Sequence, residues 1–145
     1  MRSLLTLTVC FFLCAATAAP AWSAMAELKA GQNGHFFAVA EINGSPVKVV
    51  VDTGASVVAL SFEDAEQAGI DPGDLVYDVP ISTANGTVNA ARVTIRRVVI
   101  DGVRADDVQG MVLPQGALNT TLLGMSFLSR LQSFQVRDGI LYLRN

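Results

Sequence analysis

Four dipeptides, Asn43-Gly44, Asn85-Gly86, Asp101-Gly102 and Asp138-Gly139, punctuate the chain, each set between apolar runs rich in β-branched residues. Asn-Gly and Asp-Gly supply the positive φ angles of the two-residue turns that join antiparallel strands without splaying them. Four such turns in 145 residues predict a mostly antiparallel β structure. The flanking runs agree. Phe36, Ala38, Ala40 and Ile42 alternate along one strand face, and Val93 and Ile95 alternate with Arg92, Thr94 and Arg96. Phe134 and Val136 alternate with Gln135 and Arg137, and Ile140 to Leu143 returns after the last turn. Val47 to Val51 is interrupted only by Lys48, which predicts a strand buried on both faces.

Two short helices break this pattern. Ser61 with Asp64 three positions on resembles a capping box, acidic residues follow in the first turn, and Gly69 is a natural stop. A second helix is predicted from Ser126 to about Leu131, burying Phe127, Leu128 and Leu131.

The first residues belong to a different kind of segment. Arg2 precedes an apolar stretch from Leu4 to Ala19, followed by Pro20 and small residues. This is the pattern of a secretory signal peptide over residues 1–24, or of an uncleaved N-terminal anchor in the inner membrane. Residues 25–145 then form a single exported domain, periplasmic or secreted. Both cysteines, Cys10 and Cys14, lie in the leader, so a cut after Ala24 leaves no thiol or disulfide chemistry. Lys+Arg 10 against Asp+Glu 13 and a pI near 4.9 offer no basic surface for nucleic acid. At 51% hydrophobic residues the chain is not a disordered tail.

The chemistry-bearing segment is Val50-Val51-Asp52-Thr53-Gly54-Ala55-Ser56. A carboxylate ends an apolar strand and Thr-Gly turns the chain sharply after it. By itself the tripeptide reads as a strand-terminating Asp satisfied by local backbone N–H groups. Downstream, Leu122-Leu123-Gly124 leads into the second helix. In this order and spacing, from about Gly34 to Arg144, the chain resembles the retropepsin-like aspartic proteases, specifically the small exported bacterial single-domain type.

The resemblance implies an all-β acid-protease barrel, a single-domain protomer with a flap hairpin and one or two short helices. It implies an aspartic endopeptidase in which Asp52 is the catalytic carboxylate. Only one Asp-Thr-Gly is present, so the resemblance implies a homodimer in which Asp52 from each subunit meets at the two-fold axis. Thr53 would hydrogen-bond across that dimer beneath the aspartates, and Gly54 would admit close backbone approach. Ala55 and Ser56 would line the cleft for an extended peptide or protein substrate. Asn85, Gly86 and Thr87 would belong to the flap that closes over it. Leu122, Leu123 and Gly124 would pack behind the aspartate turn. No metal and no cofactor are expected. Retroviral relatives usually have an acidic residue at Ser56 and a basic one at Met125, so the supporting ion pair of the subunit contact is missing here. A non-catalytic peptide-binding module of the same fold in the periplasm is the alternative. A third reading is a protease acting within a larger membrane assembly, associated through the N-terminal segment.

Other residues attract less. His35, the sole histidine, reads as a polar residue at a strand start. Asp106-Asp107 reads as a solvated loop or strand edge, and Arg92, Arg96 and Arg97 as an exposed strand face.

Overall fold

The computed structural model describes residues 23–83 and 86–145. The leader residues 1–22, with both cysteines, and Asn85 of the flap turn lie outside the described residues. Among the described residues no helix is long and apolar enough to cross a membrane.

The described residues form ten strands and two α-helices in the order β1 Met25–Lys29, β2 Phe37–Ile42, β3 Ser45–Val51, β4 Val58–Leu60, α1 Phe62–Gln67, β5 Tyr77–Thr83, β6 Gly86–Ile100, β7 Val103–Val112, β8 Thr121–Leu123, α2 Met125–Leu128, β9 Ser133–Arg137 and β10 Ile140–Arg144. A one-turn 3-10 helix, Pro72–Asp74, precedes β5. The expected all-β barrel is present. Strands run β2-β3-β8-β4-β7-β6, and β6 returns to β2 through Glu41↔Val99 and Ile42↔Val98, closing a six-stranded ring. The β3–β8 and β4–β7 pairs are parallel, and β5 extends the sheet beyond β6. A separate three-stranded antiparallel sheet has the order β1-β10-β9.

Three of the four turn dipeptides occupy both central positions of a two-residue hairpin. Asn43 and Gly44, Asp101 and Gly102, and Asp138 and Gly139 all have positive φ, from 46° to 91°. Their flanking pairs are Ile42↔Ser45, Ile100↔Val103 and Arg137↔Ile140. The fourth hairpin is set one residue earlier. Thr83 pairs with Gly86, so Gly86 opens β6 and does not stand at the second central position.

Strand burial follows from the barrel. Every barrel strand has an inside and an outside, so β3 alternates where the sequence predicts burial on both faces. Val47 and Val49 are buried, Pro46 and Lys48 exposed, and Val50 and Val51 half-buried. In β6, Arg96 and Arg97 are both exposed while Ile95 and Val98 are both buried. The β6–β7 ladder skips Arg96 and Asp107 there, and Asp107 has φ 51°. That kink changes which residues of the long ribbon face inward. Asp106 sits within β7 where that strand is paired with β6 alone, consistent with the solvated strand edge expected of it. It accepts hydrogen bonds from Arg97 Nε at 2.9 Å and from the Arg104 guanidinium. These two hold its carboxyl down at about 2.

Leu60, Ile95, Val98, Ile100, Leu123 and Phe127 are fully buried in the core. The second helix is shorter than predicted but buries the residues expected: Phe127 and Leu128 lie inside it, and Leu131 just beyond. In α1, Ser61 Oγ accepts from Asp64 N at 3.1 Å. Asp64 does not reach back to Ser61 as in a simple capping box. Thr121 from β8 stands between them: its hydroxyl accepts from Ser61 N at 3.2 Å and donates to Asp64 Oδ2 at 2.6 Å. Both Thr121 and Ser61 are buried, so this relay fixes α1 to β8. At the other end, Gly69 with φ 73° and the Ile70 N to Ala65 O bond of 2.9 Å close the helix.

Candidate active site

The turn after β3 is built from backbone. Asp52 N donates to Leu123 O at 3.2 Å, which places the turn on the end of β8, beside which β3 runs in parallel. Asp52 O accepts from Ala55 N at 3.2 Å, and Asp52 Oδ1 accepts from Gly54 N at 2.8 Å. The local amide contact expected of any Asp-Thr-Gly is therefore made, but it engages one carboxylate oxygen. Among the described residues Oδ2 has no hydrogen-bond partner, and the half-buried side chain borders open grooves. Thr53 and Gly54 are exposed.

Gly124 explains how the turn is held from below. A Cβ there would stand 2.2 Å from Val57 O and 2.6 Å from Ala55 O, so the chain approaches in a way only glycine permits. Met125 N donates to Ala55 O at 2.8 Å across the same contact. Ser126 adds a further tie: its hydroxyl accepts from Val58 N at 2.9 Å and donates to Gln109 O at 2.6 Å.

Asp52 borders three grooves. The largest, about 660 Å³, runs past Ala55, Ser56 and Leu122 to the underside of β5, where Ile81, Ser82 and Thr83 cover it. Its floor is read directly from strand register: Leu122 stands opposite Ala59, and Ala59 beside Met111. The same row continues through Val50 to Phe37 in a second groove of about 340 Å³. A third, about 350 Å³, separates the Asp52-Thr53 turn from Phe134, Gln135 and Val136.

The structure thus brings Asp52, Gly54, Ala55 and Ser56 to one cleft. Leu123 and Gly124 lie beneath the turn as expected, but Leu122 does not. It points to the opposite side of β8 and lines the groove, because adjacent strand residues face opposite ways. Gly86 and Thr87 are exposed on the flap strand and do not line the cleft, whereas Ile81 and Ser82 do. Sequence reasoning missed Ala59, Ile81 and Met111. The signal for them was alternation in their own strands, which cannot say which face meets Asp52. His35, expected as a polar residue at a strand start, stands just before β2 and on the rim of both smaller grooves. Its ring meets Phe37 edge-on at 6.5 Å. Among the described residues no group of three or more His, Cys, Asp or Glu side chains could hold a metal ion.

The comparisons with known proteins agree with this geometry. The model of the gag-polyprotein putative aspartyl protease family matches residues 38–130. An uncharacterised protein in the cobV 5′ region of Sinorhizobium sp is 42% identical over 113 residues, 78% of this chain and 48% of that protein. An uncharacterised protein of Rickettsia prowazekii (strain Madrid E) is 40% identical over 111 residues, 77% of this chain and 47% of the other. The chain therefore spans about half the length of the curated relatives it matches. Among solved structures, a retropepsin-like aspartic protease from Rickettsia conorii superposes with a TM-score of 0.76 at 37% identity, covering 84% of this chain and 91% of that one. EIAV protease complexed with the inhibitor HBY-793 shares the fold, with a TM-score of 0.56 at 21% identity over 70% of this chain and 91% of that one. The matched region carries the strand, the Asp52-Thr53-Gly54 turn, the flap and the supporting glycine together, and the chain belongs to the gag-polyprotein aspartyl protease family, with the retropepsin-like fold.

Proposed function

We propose that this protein is an exported aspartic endopeptidase that hydrolyses peptide bonds in extended polypeptide segments, using Asp52 from each subunit of a homodimer. The observation that carries the reading is the state of the Asp52 carboxylate. One oxygen is anchored by Gly54 N–H and the other has no hydrogen-bond partner among the described residues, at the meeting point of three grooves. A lone carboxylate does not cleave amides. Two of them brought to about 3 Å cannot both ionise, and the pair holds one proton over a wide pH range.

In that state the ionised Asp52 takes a proton from a bound water as the water oxygen attacks the scissile carbonyl carbon. The protonated Asp52 of the partner subunit donates to the carbonyl oxygen, giving a neutral tetrahedral gem-diol. Collapse breaks the C–N bond: the amine nitrogen receives a proton from one carboxyl group, and a gem-diol hydroxyl returns one to the other. The apparent pKa values of this cycle belong to the pair. Gly54 N–H holds the carboxylate orientation throughout, and Thr53, exposed on the protomer, is the residue that would bridge to its copy.

The apolar floor of Ala59, Met111 and Leu122 supports an apolar substrate side chain beside the scissile bond, with the β5–β6 hairpin as the cover. The test is a peptide-library digest by the full chain, beside Asp52→Asn. Cleavage by the wild type that vanishes in a folded Asp52→Asn is the expected result. Equal cleavage by both overturns the assignment of Asp52.

A further inference from the structure

The three-stranded sheet β1-β10-β9 turns one face to the core and the other away from it. Ala26 and Leu28 of β1 and Leu141 and Leu143 of β10 are buried, at 6% exposure or less. Alternation sends the residues between them to the opposite, outer face. There Met25 stands beside Arg144, Glu27 beside Tyr142, and Lys29 beside Ile140, which has Arg137 of β9 on its other side. None of these seven is buried, and Met25 is 48% exposed.

The outer face combines cations with apolar surface. Lys29, Arg137 and Arg144 oppose the one carboxylate of Glu27, in a chain that has Lys+Arg 10 against Asp+Glu 13. A second carboxylate, Asp138, stands at the rim in the β9–β10 turn, 3.9 Å from Arg137 Nε. Two of the cations lie along the sheet. The Arg137 guanidinium is 5.3 Å from the centre of the Tyr142 ring, and Arg144 Nη2 is 3.8 Å from Met25 Sδ. Met25, Ile140 and the Tyr142 ring supply apolar and aromatic surface between the charges, the combination that settles at the depth of lipid headgroups.

The N-terminal segment leaves from the edge of the same sheet. Ser23 Oγ donates to Asn145 O at 2.7 Å, and Ala24 O accepts from Asn145 N at 3.1 Å, so the chain is fastened to the end of β10 up to Ser23. The apolar stretch of the sequence ends at Ala19. From there to Met25 the chain can reach at most about 20 Å. With Leu4 to Ala19 held in a bilayer, that short reach brings the Met25–Arg144 row to the headgroups.

We propose that the outer face of this sheet rests on an anionic phospholipid bilayer, with the apolar N-terminal stretch as the first attachment and Lys29, Arg137 and Arg144 as the second. Membrane attachment gains stability when a basic patch joins an apolar anchor. This contact goes beyond the protease reading and does not depend on it. The bilayer would leave the largest groove beside Asp52 open, since no residue of β1, β9 or β10 lines that groove.

The experiment uses the full chain with vesicles of phosphatidylcholine, alone or mixed with phosphatidylglycerol. The wild type should partition roughly fivefold or more in favour of the phosphatidylglycerol vesicles, the gain expected of even one net basic residue at an anionic surface. Lys29→Gln, Arg137→Gln and Arg144→Gln together should abolish that preference, with melting unchanged. A polarity-sensitive fluorophore is placed at Ser133→Cys, beside Arg144, or at Glu63→Cys on α1, each with Cys10→Ser and Cys14→Ser. On the phosphatidylglycerol vesicles its emission should shift to the blue at Ser133→Cys and stay unchanged at Glu63→Cys. Attachment to neither kind of vesicle, equal partitioning onto both, a preference that survives the three substitutions, or equal responses at the two labelled positions overturns the proposal.

Discussion

Adding one methyl group at Gly124 tests whether the aspartate turn is held from beneath. Its Cβ would lie 2.2 Å from Val57 O, 2.6 Å from Ala55 O and 2.7 Å from Val57 C. All three atoms are backbone of one loop, so no side chain can rotate away. Ordinary contact needs a displacement on the order of 1 Å. The loop that must move begins at Asp52 and is also tied by Met125 N to Ala55 O at 2.8 Å. Overpacking of this kind costs about 3 kcal/mol. For a domain of this size that is a fall in Tm of about 12 °C. A 1 Å misplacement of a reacting group costs about a hundredfold in rate, so the surviving folded fraction of Gly124→Ala should cleave peptides about 10²-fold more slowly. Gly31→Ala is the control, because a Cβ there meets its neighbours at ordinary distances of 3.4 Å and more. The assays are thermal melting and kcat on a peptide cut by the wild type. A Gly124→Ala that melts within two degrees of the wild type and keeps its kcat would refute this account of the turn.

Thr121→Val should cost about 2–3 kcal/mol in urea unfolding, since it leaves Ser61 N and Asp64 Oδ2 without their buried partner, while Thr121→Ser should retain most of it. Ser126→Ala should cost about 1–2 kcal/mol in the same measurement by stranding Val58 N and Gln109 O. Asp106 is held at about 2 by Arg104 and Arg97, below its unfolded value near 3.8. Folding therefore releases its proton, and the small stabilisation it gives is present above pH 4 and lost as pH falls through 2. Melting curves of wild type and Asp106→Asn should differ at pH 5 and converge at pH 2. In the cleavage assay, the wild type should show a bell-shaped pH profile whose two limbs belong to the carboxylate pair.

Local signals in this chain were readable wherever the backbone itself demanded a residue type. Asn43-Gly44, Asp101-Gly102 and Asp138-Gly139 are hairpins because positive φ at consecutive positions excludes most alternatives. Ser61 and Gly69 mark the ends of α1 for the same kind of reason. The flap hairpin was legible as a hairpin, but its register was not, because Gly86 also suits a strand start. Asp52-Thr53-Gly54 was conspicuous as a motif. That its carboxylate would engage only one amide depends on the grooves around it, which come from β5, β8 and β9.

By itself, then, the amino-acid sequence determined the strands, the turns that join them, the helix caps and the one acid worth following. Each of these is a matter of a few neighbouring residues and their φ, ψ preferences. Only the tertiary structure decided which face of each strand is inside. Leu122 and Leu123 are identical in type and adjacent, yet one lines the cleft and the other is core. Alternation gives two faces without naming them; the names come from pairing with strands far away in the chain, β3 with β8 and β4 with β7. The same holds for Thr121 completing a helix cap from another strand, and for Val136, an apolar residue left exposed because its strand is the edge of the three-stranded sheet.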